Sequence, residues 1–201
     1  MSTNSNSDFD AKLRTIRAAA DLFHKQGIIS TSTDEIMEAS RTGKGQFYHY
    51  FKNKYGLVHQ VLLYYLDLVR TGGSPINYEI HTWTELENFF RVHLELQKNV
   101  RMTRGCPLGT IGNELTENDE LVRQDLNLIF EVICSKLVAF FTAEKARGRL
   151  IDAANPKQMA EFCVAALQGA MLIGKIKRDS AFAESVIQST MESLRLKRLP
   201  G

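Results

Sequence analysis

The sequence has few of the residues that mark several large protein classes. Its three cysteines, Cys106, Cys134 and Cys163, form no CxxC pair, and this odd count argues against a disulfide framework or a zinc site. Its five histidines show no HxxxH or HExxH spacing, so we expect neither a metal site nor a cofactor. No run approaches the roughly 18 apolar residues that span a bilayer, so we expect a cytoplasmic protein without a membrane partner.

An excess of one charge is missing as well. The 25 basic and 23 acidic residues leave a formal net charge of +2, so any DNA-binding surface must be a local patch. Hydrophobic residues make up 44% of the chain and charged residues 24%, which is typical of a globular protein rather than a disordered or fibrous one.

Helical periodicity is present along almost the whole chain, and no useful strand pattern appears. It predicts an all-α fold of about nine helices, with an irregular stretch at residues 103–112. Eight of these helices can be placed, at residues 9–26, 32–39, 43–50, 53–70, 84–101, 118–147, 156–177 and 180–198. We expect a disordered tail at residues 1–8, a three-helix helix-turn-helix domain at 9–55, and a helical effector-binding and dimerisation domain at 56–201.

The segment from Thr42 to Lys54 is basic and aromatic and contains no acidic residue. It follows a short helix and a tight turn, and two short helices joined in this way form a helix-turn-helix, whose second helix enters the DNA major groove. Phe47 and Phe51 are four residues apart, so they share one helical face and are predicted to be buried.

The remaining faces of the helix predicted at residues 43–50, the recognition helix, carry side chains suited to DNA. Gln46 can pair with an adenine edge, and Lys44 can contact a base or a phosphate. Tyr48 and His49 can contact the phosphodiester backbone, which fixes register without reading sequence. A merely solvated basic face is the alternative interpretation.

Further phosphate contacts are predicted around this helix. Lys54 begins the fourth helix, where the backbone N–H groups and the helix dipole favour an anion. Thr31 and Thr33 lie near the start of the second helix and can reach a phosphate in the same way. Thr42 and Arg41, in the turn, complete the predicted DNA-binding set.

Residues 13–57 resemble the N-terminal domain of the TetR family of transcriptional regulators. The pattern is a helix ending in phenylalanine and glycine, a threonine before a short helix, a lysine-glycine recognition helix, and tyrosine-x-x-phenylalanine followed by lysine. Here the matching residues are Phe23, Gly27, Thr33, Lys44, Gly45, Tyr48, Phe51 and Lys54. The resemblance implies a regulator, most simply a repressor, that binds a palindromic operator as a homodimer and responds to a small-molecule effector.

Arg41 departs from the family pattern, which usually has glycine in this turn. An arginine at this position either strains the turn or adds a phosphate contact, and the sequence leaves both open.

The last two predicted helices combine small residues with large apolar ones, which suits a close interface between two subunits. The resemblance favours dimerisation through this helix pair, while packing within one subunit is the alternative. The residues predicted at the interface are Phe162, Ala166, Gly169, Leu172, Phe182, Val186 and Leu194.

The middle of the chain is rich in aromatic residues and methionine, as a mostly apolar effector site requires. An ordinary helical core has the same composition and is the alternative for each residue. The predicted effector-binding residues are Trp83, Phe89, Phe90, His93, Met102, Cys106, Phe130, Met159 and Met171.

Cys106 lies in a glycine-cysteine-x-leucine-glycine segment that is followed by Asn113-Glu114-Leu115. This segment is similar to that of a TetR subgroup in which some members respond to electrophiles or oxidants through the cysteine and others bind neutral aromatic or acrylate-type ligands. A buried turn residue is the structural alternative. Two alternative functions compete with a repressor: a thiol-dependent enzyme that uses Cys106 with His93 or His81, and a TetR-like activator. We expect that the protein is not an enzyme.

Overall fold

The structure is a computed structural model that describes residues 3–199, with side chains from Phe9 onward. Within this range the chain forms nine helices and no strand, apart from one isolated bridge between Leu150 and Arg198. The all-α prediction is therefore confirmed. The helices are α1 (Thr3–Gln26), α2 (Thr33–Ser40), α3 (Lys44–Phe51), α4 (Lys54–Thr71), α5 (Trp83–Asn99), α6 (Pro107–Gly112), α7 (Glu120–Ala146), α8 (Pro156–Lys177) and α9 (Ser180–Arg195).

The local residues explain most helix ends. Ser32 and Glu35 form a reciprocal capping box at the start of α2, because the Ser32 hydroxyl accepts from the Glu35 N–H and the Glu35 carboxylate accepts from the Ser32 N–H. Asn155 caps α8 through two backbone N–H groups, and Pro156 occupies the first helical position, where its missing N–H costs nothing.

Apart from the start of α1, the predicted helix bounds agree with the structure to within three residues, but two segments predicted as non-helical contain helix. The stretch predicted as irregular contains α6, because six residues with a proline at the first position are too few to show helical periodicity. The tail predicted at residues 1–8 coincides with the start of α1: the helix begins at Thr3, whereas Met1 and Ser2 lie outside the described residues.

The chain divides into two compact units. Unit 1 comprises Met1–Asp67 and Pro107–Leu128, and α1 packs there against α2 and α6. Unit 2 comprises Leu68–Cys106 and Ile129–Gly201, and its main helix pair is α8 and α9. The predicted division at residues 55 and 56 stays a prediction, but the compact units cut the chain differently because the α6 segment belongs with α1.

Each unit has its own apolar core. In unit 1 the fully buried side chains include Phe23, Ile36 and Phe47. In unit 2 they include Phe90 and Phe141. By length and composition alone, α7 and α8 are apolar enough to cross a membrane, a test that the core helices of soluble proteins also pass.

Candidate nucleic-acid interface

The turn between α2 and α3 is tight and left-handed at one residue. Arg41 has φ 52° and ψ 42°, and its N–H donates to the Glu38 carbonyl while the Thr42 N–H donates to the Met37 carbonyl. Only glycine enters this backbone region without a steric cost. Of the two interpretations of Arg41, strain in the turn is therefore present, and a phosphate contact stays a prediction.

The inner face of α3 holds the helix to unit 1. Phe47 and Phe51 are both buried, and their ring centroids lie 5.4 Å apart in an edge-to-face arrangement. The spacing of four residues predicted this shared face. Burial of the two phenylalanines fixes which side chains of α3 remain outside.

The outer face of α3 exposes the four side chains predicted to bind DNA, Lys44, Gln46, Tyr48 and His49. Tyr48 is 44% exposed even though its ring contacts the edge of Phe47. The side-chain Oε1 of Gln46 accepts a long hydrogen bond of 3.4 Å from the Gly43 N–H, so a bidentate contact to adenine would replace this weak cap.

Two predicted phosphate contacts lie in the interior instead. Thr31 is buried, and its hydroxyl donates to the Gly27 carbonyl at 2.6 Å. Thr42 is buried as well, and its hydroxyl shares a 2.7 Å hydrogen bond with the hydroxyl of Thr15. Neither hydroxyl is available to a phosphate in this structure, whereas Thr33 remains partly exposed at the start of α2.

Lys54 also faces inward rather than towards an anion. Its ammonium donates to the carbonyl of Ile28 at 2.7 Å and to the carbonyl of Thr31 at 2.9 Å. The predicted phosphate contact therefore competes with two charge-assisted hydrogen bonds that join α4 to the loop between α1 and α2. Lys54 supports the helix-turn-helix in this structure.

Sequence reasoning missed other residues that support this unit. The Arg14 guanidinium donates to the Ser40 carbonyl at 2.8 Å, which ties α1 to the end of α2. Glu114 accepts hydrogen bonds from the N–H groups of Ile28 and Ile29 in the loop after α1. No local sequence pattern signals these contacts, because the partners are 26 to 86 residues apart.

Most residues predicted to bind an effector belong to the interior of unit 2. Phe89, Phe90, Met102, Met159 and Met171 are all buried, and Phe130 is partly exposed.

Trp83 has a structural role in this unit. Its indole N–H donates to the buried carboxylate of Glu144 at 2.7 Å, and the Arg198 guanidinium stacks 4.6 Å from its ring.

His93 and Cys106 supply polar groups among these apolar side chains. The His93 Nδ1–H donates to the Phe89 carbonyl at 2.7 Å, and burial lowers the His93 pKa to about 4, so the ring is neutral at pH 7 and its Nε2 is an acceptor. The Cys106 sulfur accepts a hydrogen bond of 3.3 Å from the Gln168 amide. Burial raises the pKa of Tyr78, and the negative charge that Cys106 carries when it is ionised raises this pKa further.

Family profiles match most of the chain. The profile described as "Bacterial regulatory proteins, tetR family" matches residues 16–61, and the profile described as "Tetracyclin repressor-like, C-terminal domain" matches residues 83–190. The chain belongs to the TetR family. It is a transcriptional regulator with an N-terminal helix-turn-helix DNA-binding domain, and the resemblance inferred from the sequence is confirmed.

Individual TetR-family proteins are similar over nearly the full length. The HTH-type transcriptional repressor DhaR of Mycobacterium sp. is 26% identical and the match covers 89% of each chain. The transcriptional regulator AcuR of Cereibacter sphaeroides is 29% identical over 81% of this chain and 75% of its own. The regulatory protein TetR from Rhodobacter sphaeroides is 27% identical, with a TM-score of 0.76 over 90% of this chain and 97% of the other.

The helix pair α8 and α9 corresponds to the surface predicted to form the TetR-family dimer. Phe162 and Leu172 are exposed on α8, and Ala166 and Gly169 between them are partly exposed. Leu194 of α9 differs, since it is buried within its own subunit.

Two other predicted interface residues on α9 are only partly exposed. Val186 packs on the core cluster of Leu94, Met102, Ala170 and Ala183. The Lys177 ammonium lies 4.8 Å from the centroid of the Phe182 ring. For Val186 and Leu194, therefore, the structure favours the alternative of packing within one subunit.

Proposed function

We propose that the protein is a cytoplasmic, homodimeric repressor that binds a palindromic operator and is released by a small-molecule or electrophilic effector. The observation that carries the proposal is the division of α3 into a buried phenylalanine face and an exposed face of Lys44, Gln46, Tyr48 and His49. Such a face can supply base-edge and phosphate contacts from one helix in the major groove. The TetR family consists of transcriptional regulators, and we propose no enzymatic activity.

Dimerisation is supported by an apolar stripe along α8. Phe162, Leu172 and Ile176 are exposed at helical spacing, with Ala166 and Gly169 between them, and Ile176 is 72% exposed. Large exposed side chains on either side of small ones allow two such helices to pack closely around a two-fold axis. We therefore propose a second copy of this chain as the occupant of this stripe.

Repression rather than activation is supported by the printed name of one relative. DhaR is called a transcriptional repressor, and the match to it extends over both regions of the chain. A repressor competes with transcription only while it is bound, so an effector has to prefer the conformation with weak operator affinity.

The effector site is proposed within unit 2, around Tyr78, His93 and Cys106. The ring centroid of His93 lies 4.5 Å from that of Phe89 and 6.2 Å from that of Tyr78. Burial raises the pKa of Tyr78, and Cys106 contributes to this increase. These groups offer an acceptor, a phenol and a thiol beside aromatic rings. Such a set suits a small apolar molecule with one polar group, or an electrophile that alkylates the thiol.

Operator binding tests the proposal directly. Purified protein is titrated against DNA from upstream of its own gene and against sites selected from a random library, at two salt concentrations. We expect a palindromic site, one dimer per site, and affinity that falls with salt. Lys44→Ala and Gln46→Ala should each weaken operator binding by about 1–3 kcal/mol. A protein that selects no sequence would contradict the proposal.

Effector release requires a separate measurement. Electrophiles and small aromatic molecules are added to the protein–operator complex, in parallel for the wild type and Cys106→Ser. Loss of operator binding only in the wild type indicates reaction at Cys106, and loss in both proteins indicates reversible binding. No loss with any compound of either class would contradict the proposed effectors.

A further inference from the structure

The loop from Gly27 to Thr31 connects α1 to α2 and is stabilised by hydrogen bonds along its length. Gly27 ends α1 with φ 84°, and its carbonyl accepts the Thr31 hydroxyl at 2.6 Å. Ser32 follows at once and caps α2. The conformation of this loop therefore determines where α2 begins, and α2 and its turn in turn place the recognition helix α3.

Ile28 is the centre of this loop because both of its peptide groups are engaged. Its N–H donates to Glu114 Oε2 at 2.5 Å, and its carbonyl accepts the Lys54 ammonium at 2.7 Å. The N–H of Ile29 donates to the same Glu114 oxygen at 3.1 Å. One carboxylate oxygen thus accepts two consecutive N–H groups, and hydrogen bonds to an ionised acceptor are stronger than neutral ones.

Gly27 allows the Glu114 carboxylate to approach this closely. A Cβ at residue 27 would overlap the Glu114 carboxylate, so the glycine is required for space as well as for its positive φ. The contact is thus a close fit between α1 and the segment after α6, and any side chain at residue 27 would displace the carboxylate.

Glu114 belongs to a segment that leads directly from the proposed sensor. Cys106 immediately precedes Pro107, the first residue of α6, and Glu114 lies two residues after the end of α6. Helix α6 also packs on α1. Helix α6 therefore joins Cys106 to Glu114 along the chain.

We propose that Glu114 is a positioning residue for operator binding, whose carboxylate holds the loop from Gly27 to Thr31 and so links the segment after Cys106 to the helix-turn-helix. The inference rests on the proposed operator binding. A link of this kind between two sites is typically worth about 5- to 150-fold in affinity.

A series of substitutions at Glu114 tests the inference in the full-length protein. Glu114→Gln keeps an oxygen that can accept both N–H groups, Glu114→Asp withdraws it by one methylene, and Glu114→Ala removes it. Glu117→Ala is the matched control, because it removes the same charge three residues along the chain at an exposed position. Operator affinity is measured by fluorescence anisotropy with a site selected by the wild type, and non-specific affinity with a scrambled duplex.

Glu114→Ala and Glu114→Asp should lower operator affinity about tenfold, within the usual range for coupled sites, and leave non-specific affinity unchanged. Glu114→Gln keeps the oxygen but loses the charge, so it should lose less affinity than Glu114→Ala, whereas Glu117→Ala should stay close to the wild type. Amide hydrogen exchange at Ile28 and Ile29 should accelerate in the first two variants only, which separates a local loop effect from general destabilisation. If Glu114→Ala does not fold, the inference is tested by comparing the operator affinities of Glu114→Asp and Glu114→Gln, because the inference predicts a loss in the Asp variant that exceeds the loss in the Gln variant.

Two results would overturn the inference while leaving operator binding intact: wild-type affinity in both Glu114→Ala and Glu114→Asp, or equal losses in Glu114→Gln and Glu114→Ala. A wild-type protein that binds no operator would instead refute the proposed function, and this inference with it.

Discussion

Two sets of polar side chains in the helix-turn-helix have similar chemistry and different surroundings. Lys44, Gln46 and Tyr48 lie on the outer face of α3, exposed to solvent. Lys54 and Thr31 are directed inward, and each donates to backbone carbonyls of the loop after α1. A lysine or threonine near the recognition helix can therefore contact DNA only where its donors are still available. Of the nine residues predicted to contact DNA, three are hydrogen-bonded within the protein instead: Thr31, Thr42 and Lys54.

The difference also separates two kinds of experimental defect. Substitutions on the outer face should change operator affinity and its salt dependence while leaving stability almost unchanged. Substitutions of the inward set should change stability first, and affinity only through the position of α3.

The sharpest test of this separation uses adjacent residues of α3. Phe47→Ala removes a fully buried ring and should lower the free energy of unfolding by about 3–5 kcal/mol. Tyr48→Ala removes a ring that is 44% exposed and should cost no more than about 1 kcal/mol, while weakening operator binding. Urea denaturation and operator titration of both variants check this, and equal stability losses would break the comparison.

The same comparison applies to two histidines. His93 is partly buried and has a pKa of about 4, below the ordinary value of 6.5, because burial disfavours its charged form. Between pH 6.5 and pH 4 the unfolded chain binds a proton that the folded protein does not. His93 therefore lowers stability as the pH falls through this window, by about 3 kcal/mol in total, and adds no further change below pH 4.

The measurement for His93 is the free energy of unfolding against pH for the wild type, His93→Gln and His49→Gln. The His93 variant should show a shallower decline between pH 6.5 and pH 4, and the exposed His49 of α3 serves as the control. Parallel curves for the wild type and His93→Gln would contradict the role of burial.

The sequence predicted the features that depend on neighbouring residues. The Ser32–Glu35 capping box, the bounds of α8 and the shared face of Phe47 and Phe51 each follow from spacings of one helical turn or from a proline at a helix start. The outer face of α3 follows from the same periodicity, which is why its exposed residues were foreseen.

Residues whose partners are distant in sequence were not foreseen. Lys54 donates to a carbonyl 23 residues away, and Glu114 accepts from residues 85 and 86 positions away. Helix dipole arguments assign Lys54 to an anion, but a backbone carbonyl near its ammonium competes for the same donors. Only the tertiary structure reveals such a competitor.

Lys54 itself gives the next prediction. Lys54→Met keeps most of the aliphatic stem but removes two charge-assisted hydrogen bonds, so the free energy of unfolding should fall by about 2 kcal/mol. Lys44→Met, on the exposed face, should change stability by less than about 0.5 kcal/mol and reduce the salt dependence of operator binding. If Lys54→Met is as stable as the wild type and its operator binding depends less on salt, Lys54 contacts DNA rather than supporting the fold.

Arg41 has an exposed side chain like the outer set, while its backbone is strained at φ 52°. Arg41→Gly removes the steric cost of the left-handed conformation, about 1–2 kcal/mol, but increases the entropy of the unfolded chain by a part of that amount. The net result should be a gain of about 0.5–1 kcal/mol in the free energy of unfolding.

Arg41→Lys keeps the strain and the charge, and is therefore the control for both effects. If Arg41 contacts a phosphate, Arg41→Gly should weaken operator binding and lower its salt slope by about one, even though the protein is more stable. If it does not, affinity should be unchanged or slightly higher, because a relaxed turn still places α3 on the same phenylalanine anchors. Opposite signs for stability and affinity in this single variant would show that the arginine is retained for DNA at the expense of the turn.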